Sequence, residues 1–275
     1  FDVIIVGMGP SGLVLCGLLN NYGVKVGIFE KNKSTVTEPR AVSIDDESLR
    51  ILQSFSLHQA VLRNVSQNYG SHYYDAKGRL FLKVEPNSRE NGFFKRNAFD
   101  QPTFERTLWK HLEKQKNVNI NFSHTLVSIK NEINRVTASF VDSKGLKKSF
   151  QAKYLVGCDG GQSTVRGLIG AIMKGSSFNQ NWLVVDVDKT CNFFRHTQVY
   201  CSPKRSSITL PGPHGIRRYE FKLKDGESSE KLGEDFIRKL LVSVGKDGNA
   251  KIRRSQVYQF HALISSEWKK KSVAI

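Results

Sequence analysis

Residues 1–30 read FDVIIVGMGPSGLVLCGLLNNYGVKVGIFE, and this stretch decides the fold. Asp2 to Val6 is an unbroken apolar, β-branched run of the kind that forms a strand buried on both faces, and Gly7 stops it. From Ser11 to about Tyr22 the pattern predicts a helix, with Leu15, Leu18 and Leu19 able to share a buried face and Gly23 at its C-terminal end. Val24 to Phe29 then supplies a second, parallel strand. Gly7, Gly9 and Gly12 stand between strand and helix in G-x-G-x-x-G spacing, each with its own task. Gly7 permits the tight turn, Gly9 lets backbone N–H groups approach a pyrophosphate, and Gly12 lets the helix lie close to the strand. The anion rests on the positive end of the helix. Glu30 ends the second strand 18 residues after Gly12, near the distance expected for a carboxylate that accepts from an adenosine ribose. Strand, glycines, helix, strand and acid in order predict a dinucleotide site. NAD and FAD share the ADP half such a unit holds, so the motif does not choose between them.

The 275 residues suffice for one large domain or two ordinary ones, and 39% hydrophobic with 24% charged residues is a globular composition. No apolar run approaches the roughly 20 residues of a membrane helix, and no secretory pattern is visible, so a cytoplasmic chain without membrane contact is expected. Four scattered cysteines, at 16, 158, 191 and 201, make neither a disulfide framework nor a zinc pattern, and are read as reduced, mostly packing thiols. The net charge of +17 would suit any anionic partner. Its basic residues are dispersed and lack an interleaved aromatic pattern, so no nucleic-acid partner is expected.

Two further segments carry chemistry. In EPRAVSIDDESLRILQSFSL at 38–57, Asp45, Asp46 and Glu47 precede the periodic Leu49, Leu52 and Phe55, as an N-cap and acidic first turn should. No histidine or further carboxylate follows to make them a metal site, and no metal is expected. In YLVGCDGGQSTVR at 154–166 a short strand ends at Asp159, a Gly-Gly turn follows, and Ser163 is placed to cap a helix carrying Arg166. That segment reads either as a phosphate or cofactor loop or as an ordinary connection.

Taken with RNAFDQPTFERTL at 96–108, NQNWLVVDVD at 179–188 and RRYEFKLKDGE at 217–227, these segments match in order the pattern of the FAD-dependent aromatic hydroxylases. The chain resembles the p-hydroxybenzoate hydroxylase and phenol hydroxylase type, most nearly the 3-(3-hydroxyphenyl)propionate hydroxylase branch. The resemblance runs along essentially the whole chain. It implies an α/β fold: a Rossmann-like FAD-binding domain with an inserted mixed or antiparallel β-sheet substrate domain. It also implies that the chain is truncated before the family's Gly-Asp motif, since the segment resembling 260–275 leads into that motif in the family.

The expected division gives residues 1–71 to the first part of the FAD domain and 72–100 to a substrate-domain hairpin turning at Gly78. Residues 101–175 form the second part of the FAD domain, with a helix from Gln101 to Gln115 and a hairpin turn at Lys144-Gly145. Residues 176–266 form the substrate domain. Its strands are expected at Trp182–Val187, Gln198–Cys201, Ile208–Leu210, Tyr219–Leu223 and Val257–Ile264, with one helix over about 229–242. Residues 267–275 return to the FAD domain as a strand.

The resemblance implies an FAD-dependent monooxygenase that uses NADH or NADPH and dioxygen to hydroxylate an anionic phenol ortho to its hydroxyl, 3-(3-hydroxyphenyl)propionate being the expected substrate. The alternatives are a sister phenol, resorcinol or chlorophenol hydroxylase, or a non-catalytic FAD-binding fragment. Cofactor contacts are carried over onto Gly7, Gly9, Pro10, Ser11, Gly12, Glu30, Lys31, Arg40, Gln101, Asp159 and Gly160. A phenol of pKa near 10 needs help to ionise at neutral pH, and a carboxylate within reach could give it. Asp45 is the catalytic candidate, with a helix N-cap as its other reading. Arg40 is otherwise a solvent-facing loop residue, and Gln101 otherwise a helix boundary. Arg166 is as suited to holding its loop as to meeting a ligand. Arg195, Arg205, Arg217, Arg218, His196 and His214 are unranked candidates for a substrate carboxylate, each more often a surface residue. A homodimer is left open.

Overall fold

The computed structural model describes residues 1–227 and 232–275. Val3–Val6 lies at the middle of a six-stranded sheet and pairs in parallel with Val26–Phe29 on one side and Tyr154–Gly157 on the other. Val118–Asn121 extends the sheet beyond Phe29, and Val273–Ala274 extends it beyond Tyr154–Gly157. The two N-terminal strands are buried at every position, which explains their continuous apolar runs.

Helices Pro10–Asn21, Asp46–Ser54 and Gln101–Leu112 cover one face, enclosing Ile5, Leu13, Leu49 and Leu108. The expected burial of Leu15, Leu18 and Leu19 is corrected: the fully buried side of the first helix is Gly12, Leu13, Cys16 and Gly17, with those leucines only partly covered. Gly17 explains the rotation. A Cβ there would stand 2.7 Å from the Phe55 ring, so the helix packs along its small residues instead of its leucine ridge. On the other face a three-stranded antiparallel sheet (Thr125–Glu132, Arg135–Val141, Lys147–Ala152) packs Phe140 on Phe29, the ring centroids 4.1 Å apart.

The second body is a seven-stranded mixed sheet in the order Lys251–Ser265, Met173–Asp188, Arg217–Lys222, Ser207–Pro211, Thr197–Tyr200, Ser71–Tyr74, Leu80–Val84. The fold class read from the sequence is therefore observed. The 71–74/80–84 pair is the expected hairpin, with Gly78 at φ +76°. Met173–Asp188 and Lys251–Ser265 run well beyond their expected ends, because residues 173–181 are exposed on both faces and carry no hydrophobic alternation. Leu183, Val185, Tyr219 and Phe221 line one face of the sheet under the helix Glu234–Val244. The first positions of the helix expected over 229–242 lie outside the described residues. Among the described residues, no helix is long and apolar enough to cross a membrane.

Candidate functional site

The glycine loop is built by close approach. Gly7 sits at φ +102°, where a Cβ would stand 2.5 Å from the Cys158 carbonyl oxygen, and a Cβ on Gly12 would stand 2.1 Å from the Gly7 carbonyl oxygen. Cys158 N–H in turn donates to Val6 O at 2.7 Å, so the GMGPSG and CDGG loops meet at the ends of two adjacent strands. Burial pushes the Cys158 thiol up to about 11 and the Cys16 thiol up to about 12, as befits packing residues, whereas Cys191 and Cys201 are exposed. Gly9 differs from its neighbouring glycines. It is the N-cap of the first helix, no side chain caps that helix, and a Cβ on Gly9 would meet nothing within 4 Å. Pro10 supplies the fixed φ of the first turn, and the Ser11 and Gly12 N–H groups belong to the first turn, whose donors have no intrahelical acceptor. Open space, an uncapped helix N-terminus and glycine-limited walls fit a pyrophosphate.

Glu30 stands beside this loop. Its Oε2 accepts from Met8 N at 3.0 Å, and its Oε1 accepts from Asn32 N and Nδ2 at 2.9 and 2.6 Å. Lys31 is exposed. Asp159 accepts from Ser163 Oγ at 2.5 Å, Thr164 N at 2.7 Å and Val165 N at 3.1 Å, so its carboxylate secures the turn through Gly160, which sits at φ +81°. Ser163 caps the helix Thr164–Leu168 as expected, and Arg166 donates to Gly161 O at 2.7 Å, holding its own loop.

Gln101 is buried at the first position of its helix. Its Oε1 accepts from the Arg40 and Ala41 N–H groups, both at 2.8 Å, and its Nε2 donates to Glu105 Oε1 at 2.8 Å. Glu105, fully buried, also accepts from Val36 N, and burial raises its carboxyl above the usual range. This pair clamps the 36–41 segment. Asp45 is an exposed N-cap whose Oδ1 accepts from Ser48 N at 2.8 Å, leaving its second oxygen free for another task. Asp46 behaves differently from an ordinary first-turn acid: it is buried and accepts from Asn91 Nδ2 at 3.0 Å.

The substrate-side arginines require correction. Arg217 and Arg218 are buried, 1% and 5% exposed, against the expectation of surface residues. Strand alternation sends them to opposite faces. Arg217 points under the helix-covered face, donating to Thr209 Oγ1 and the carbonyls of Asn192 and Phe194. Arg218 points toward the FAD-side body, donating to Asp186 at 2.7 and 3.0 Å and to the carbonyls of Arg40 and Pro39, both at 2.7 Å. Arg254 adds a bond to the same Pro39 carbonyl and an ion pair with Glu38. Arg40 thus contributes its backbone to the join, while its side chain lines a cleft of about 630 Å³ with Thr35, Arg254 and Tyr258. Arg195 donates to the Asn68 and Gln67 carbonyls, Arg205 pairs with Glu227, and His214 meets Asn64. All three hold partners within the chain, Arg195 and His214 from exposed positions, as expected of surface residues, and Arg205 from a half-buried one.

His72, Glu85 and His196 gather their ring nitrogens and carboxylate within 4.8 Å, a cluster no sequence spacing announced. Its geometry suits shared protons better than a cation. The Gly70 N–H donates to His196 Nδ1, which puts the neutral ring's proton on Nε2, and His72 Nε2 lies 2.5 Å from Glu85 Oε1. A metal bonded to both atoms at about 2 Å would hold them farther apart.

The profile of the FAD-binding-domain family matches residues 1–275. A 3-(3-hydroxy-phenyl)propionate/3-hydroxycinnamic acid hydroxylase of Comamonas testosteroni is 34% identical over 270 residues, covering 98% of this chain and 46% of that protein. The enzyme of the same name from Paraburkholderia xenovorans is 33% identical over 273 residues, covering 98% and 43%. The chain therefore spans less than half the length of these relatives. Among solved structures, p-nitrophenol 4-monooxygenase from Pseudomonas putida superposes with a TM-score of 0.90 at 21% identity, covering 99% of this chain and 71% of that one. Aklavinone-11 hydroxylase in complex with FAD and aklavinone superposes with a TM-score of 0.83 at 19% identity, covering 99% and 56%.

Proposed function

Because this chain belongs to the FAD-binding-domain family of flavin-dependent aromatic hydroxylases, we propose that it holds FAD and forms the cofactor and substrate face of an NAD(P)H-dependent monooxygenase acting on an anionic phenol. The 3-(3-hydroxyphenyl)propionate type of substrate is favoured by the relatives' names. FAD, when bound, supplies the redox chemistry that connects NADH or NADPH, dioxygen and the ring.

The observation that carries the reading is the open space at Gly9 between the closely packed Gly7 and Gly12. The first-turn N–H groups bind the pyrophosphate, and Glu30, already oriented by Met8 and Asn32, accepts from the adenosine ribose. Gln101 and Glu105 hold the 36–41 segment, including Arg40, against the flavin, while Asp159 and Gly160 shape the loop on its other side. Lys31 adds a positive charge at the rim. The sheet face carrying Arg218 and Asp186 orients the phenol and excludes water from the reacting ring. Asp45, the exposed N-cap of its helix, is a candidate to accept the phenolic proton.

Two measurements test the proposal. A flavin absorbance spectrum retained through gel filtration establishes cofactor binding. Stimulation of NADH or NADPH oxidation by a panel of phenols then identifies the electron donor and substrate. Flavin binding without any phenol response would favour a non-catalytic FAD fold, and a colourless protein would overturn the proposal.

A further inference from the structure

We propose that Glu220 is the group that takes the phenolic proton, an inference that rests on the aromatic-hydroxylase reading above. The register of the seven-stranded sheet places it. Glu220 stands between Val184 on one neighbouring strand and Ile208 on the other, and it shares its face with Arg218 two residues earlier. That face is the one Arg218 uses to reach Pro39 and Arg40, so it looks toward the FAD-side body, whereas Tyr219 and Phe221 turn to the apolar core on the opposite side.

The acids near Glu220 are already committed. Asp186 receives two bonds from Arg218 and lies 3.8 Å from Arg254, and Glu38 pairs with Arg254. Glu220 differs: among the described residues, no group donates a hydrogen bond to its carboxylate. Glu220 is half-buried, so its carboxylate, with no protein donor engaged, stays free to exchange a proton with a bound ligand. Its surroundings also tune it. Burial, the largest influence, raises its affinity for a proton, Arg218 opposes this, and Asp186 adds to it. Lys222 and Arg254 share this face, and Glu38 and Arg40 meet it from the FAD-side body. A carboxyl whose proton affinity is raised is better matched to a phenol than an ordinary one.

The step balances simply. The phenolic O–H bond breaks, its electron pair stays on the ring oxygen and activates the adjacent carbon, and the proton forms an O–H bond with the Glu220 carboxylate. The resulting carboxylic acid later returns that proton to solvent.

The test uses the FAD-loaded protein, with flavin absorbance and thermal midpoint recorded for every variant. Glu220→Gln should retain flavin and lower kcat on a neutral phenol about 100-fold at pH 7. The loss should shrink as pH rises toward about 10, where the phenol ionises unaided. Glu220→Asp should recover part of the rate at pH 7. A Gln variant that keeps its kcat, or that loses it equally at every pH, overturns the proposal. A flavin-loaded wild type that oxidises no phenol overturns the hydroxylase reading instead, and the role of Glu220 with it.

Discussion

Arg218 clasps Asp186 across neighbouring strands, with Nε and Nη2 2.7 and 3.0 Å from the two carboxylate oxygens, and spends its other contacts on the Pro39 and Arg40 carbonyls. Both side chains are buried, so neither charge has water to fall back on. Asp186→Asn should therefore lower the unfolding free energy by about 3–5 kcal/mol, the range for one partner lost from a buried pair. Arg218→Met should act more locally, raising hydrogen exchange across residues 38–41, because Arg254 still faces Asp186 at 3.8 Å. Denaturant midpoints and segment-resolved exchange check both. Equal exchange in the wild type and Arg218→Met would show that the pair does not fasten the 38–41 segment.

The glycine loop separates packing from binding. Gly9→Ala, at φ −72° and with no atom within 4 Å of its Cβ, should fold with an unchanged thermal midpoint and still lose flavin absorbance after gel filtration. Gly12→Ala meets the Gly7 carbonyl oxygen at 2.1 Å and should lower the midpoint as well. Retention of flavin by Gly9→Ala would move the pyrophosphate away from this helix.

That loop was readable from sequence because everything in it is local: strand, turn and helix lie within 30 residues, and each glycine's task follows from its spacing. The join between the two bodies was not. Arg218 reaches partners 32 and 179 positions away, and nothing in RRYEFK says which face meets the flavin side. Alternation alone separates Arg217, Tyr219 and Phe221 from Arg218, Glu220 and Lys222, yet an arginine on each face leaves open which face meets the other body until the covering helix is seen. The ribbon at 173–181 escaped for the opposite reason, since strand pairing there is set by its partner at 259–265 and not by any burial pattern. The histidine cluster draws on residues 72, 85 and 196, a separation that no motif spans.

Asp45 offers a test of capping against chemistry. Removing its cap to Ser48 N by Asp45→Ala should cost about 1 kcal/mol, and Asp45→Asn, which keeps an acceptor oxygen, should restore stability. Turnover should follow the same order if the cap is the residue's whole contribution. A stable Asp45→Asn protein with a collapsed kcat would assign the proton to Asp45 and withdraw it from Glu220.

Acid stability should report on His196. Burial, the largest influence, holds this histidine below its ordinary 6.5, and its Nδ1 accepts the Gly70 N–H, so protonating the folded ring means breaking that bond. Glu85 raises the ring's affinity for a proton, while His72, Arg195 and Lys83 lower it, leaving the net direction downward. The unfolded chain therefore binds the proton first as pH falls. The stabilisation is complete above pH 6.5 and is lost as pH drops through that value toward the folded pKa. Glu85, lowered from 4.5 chiefly by its bond to His72, adds a second loss below pH 4.5 by the same sign. Thermal midpoints should be flat above neutrality and then fall in two stages, with exchange at the Gly70 amide rising in the first. His196→Gln should flatten that first stage and leave the second. A midpoint unchanged down to about pH 5 would mean that His196 is as easily protonated folded as unfolded, and that the Gly70 bond does not govern its proton.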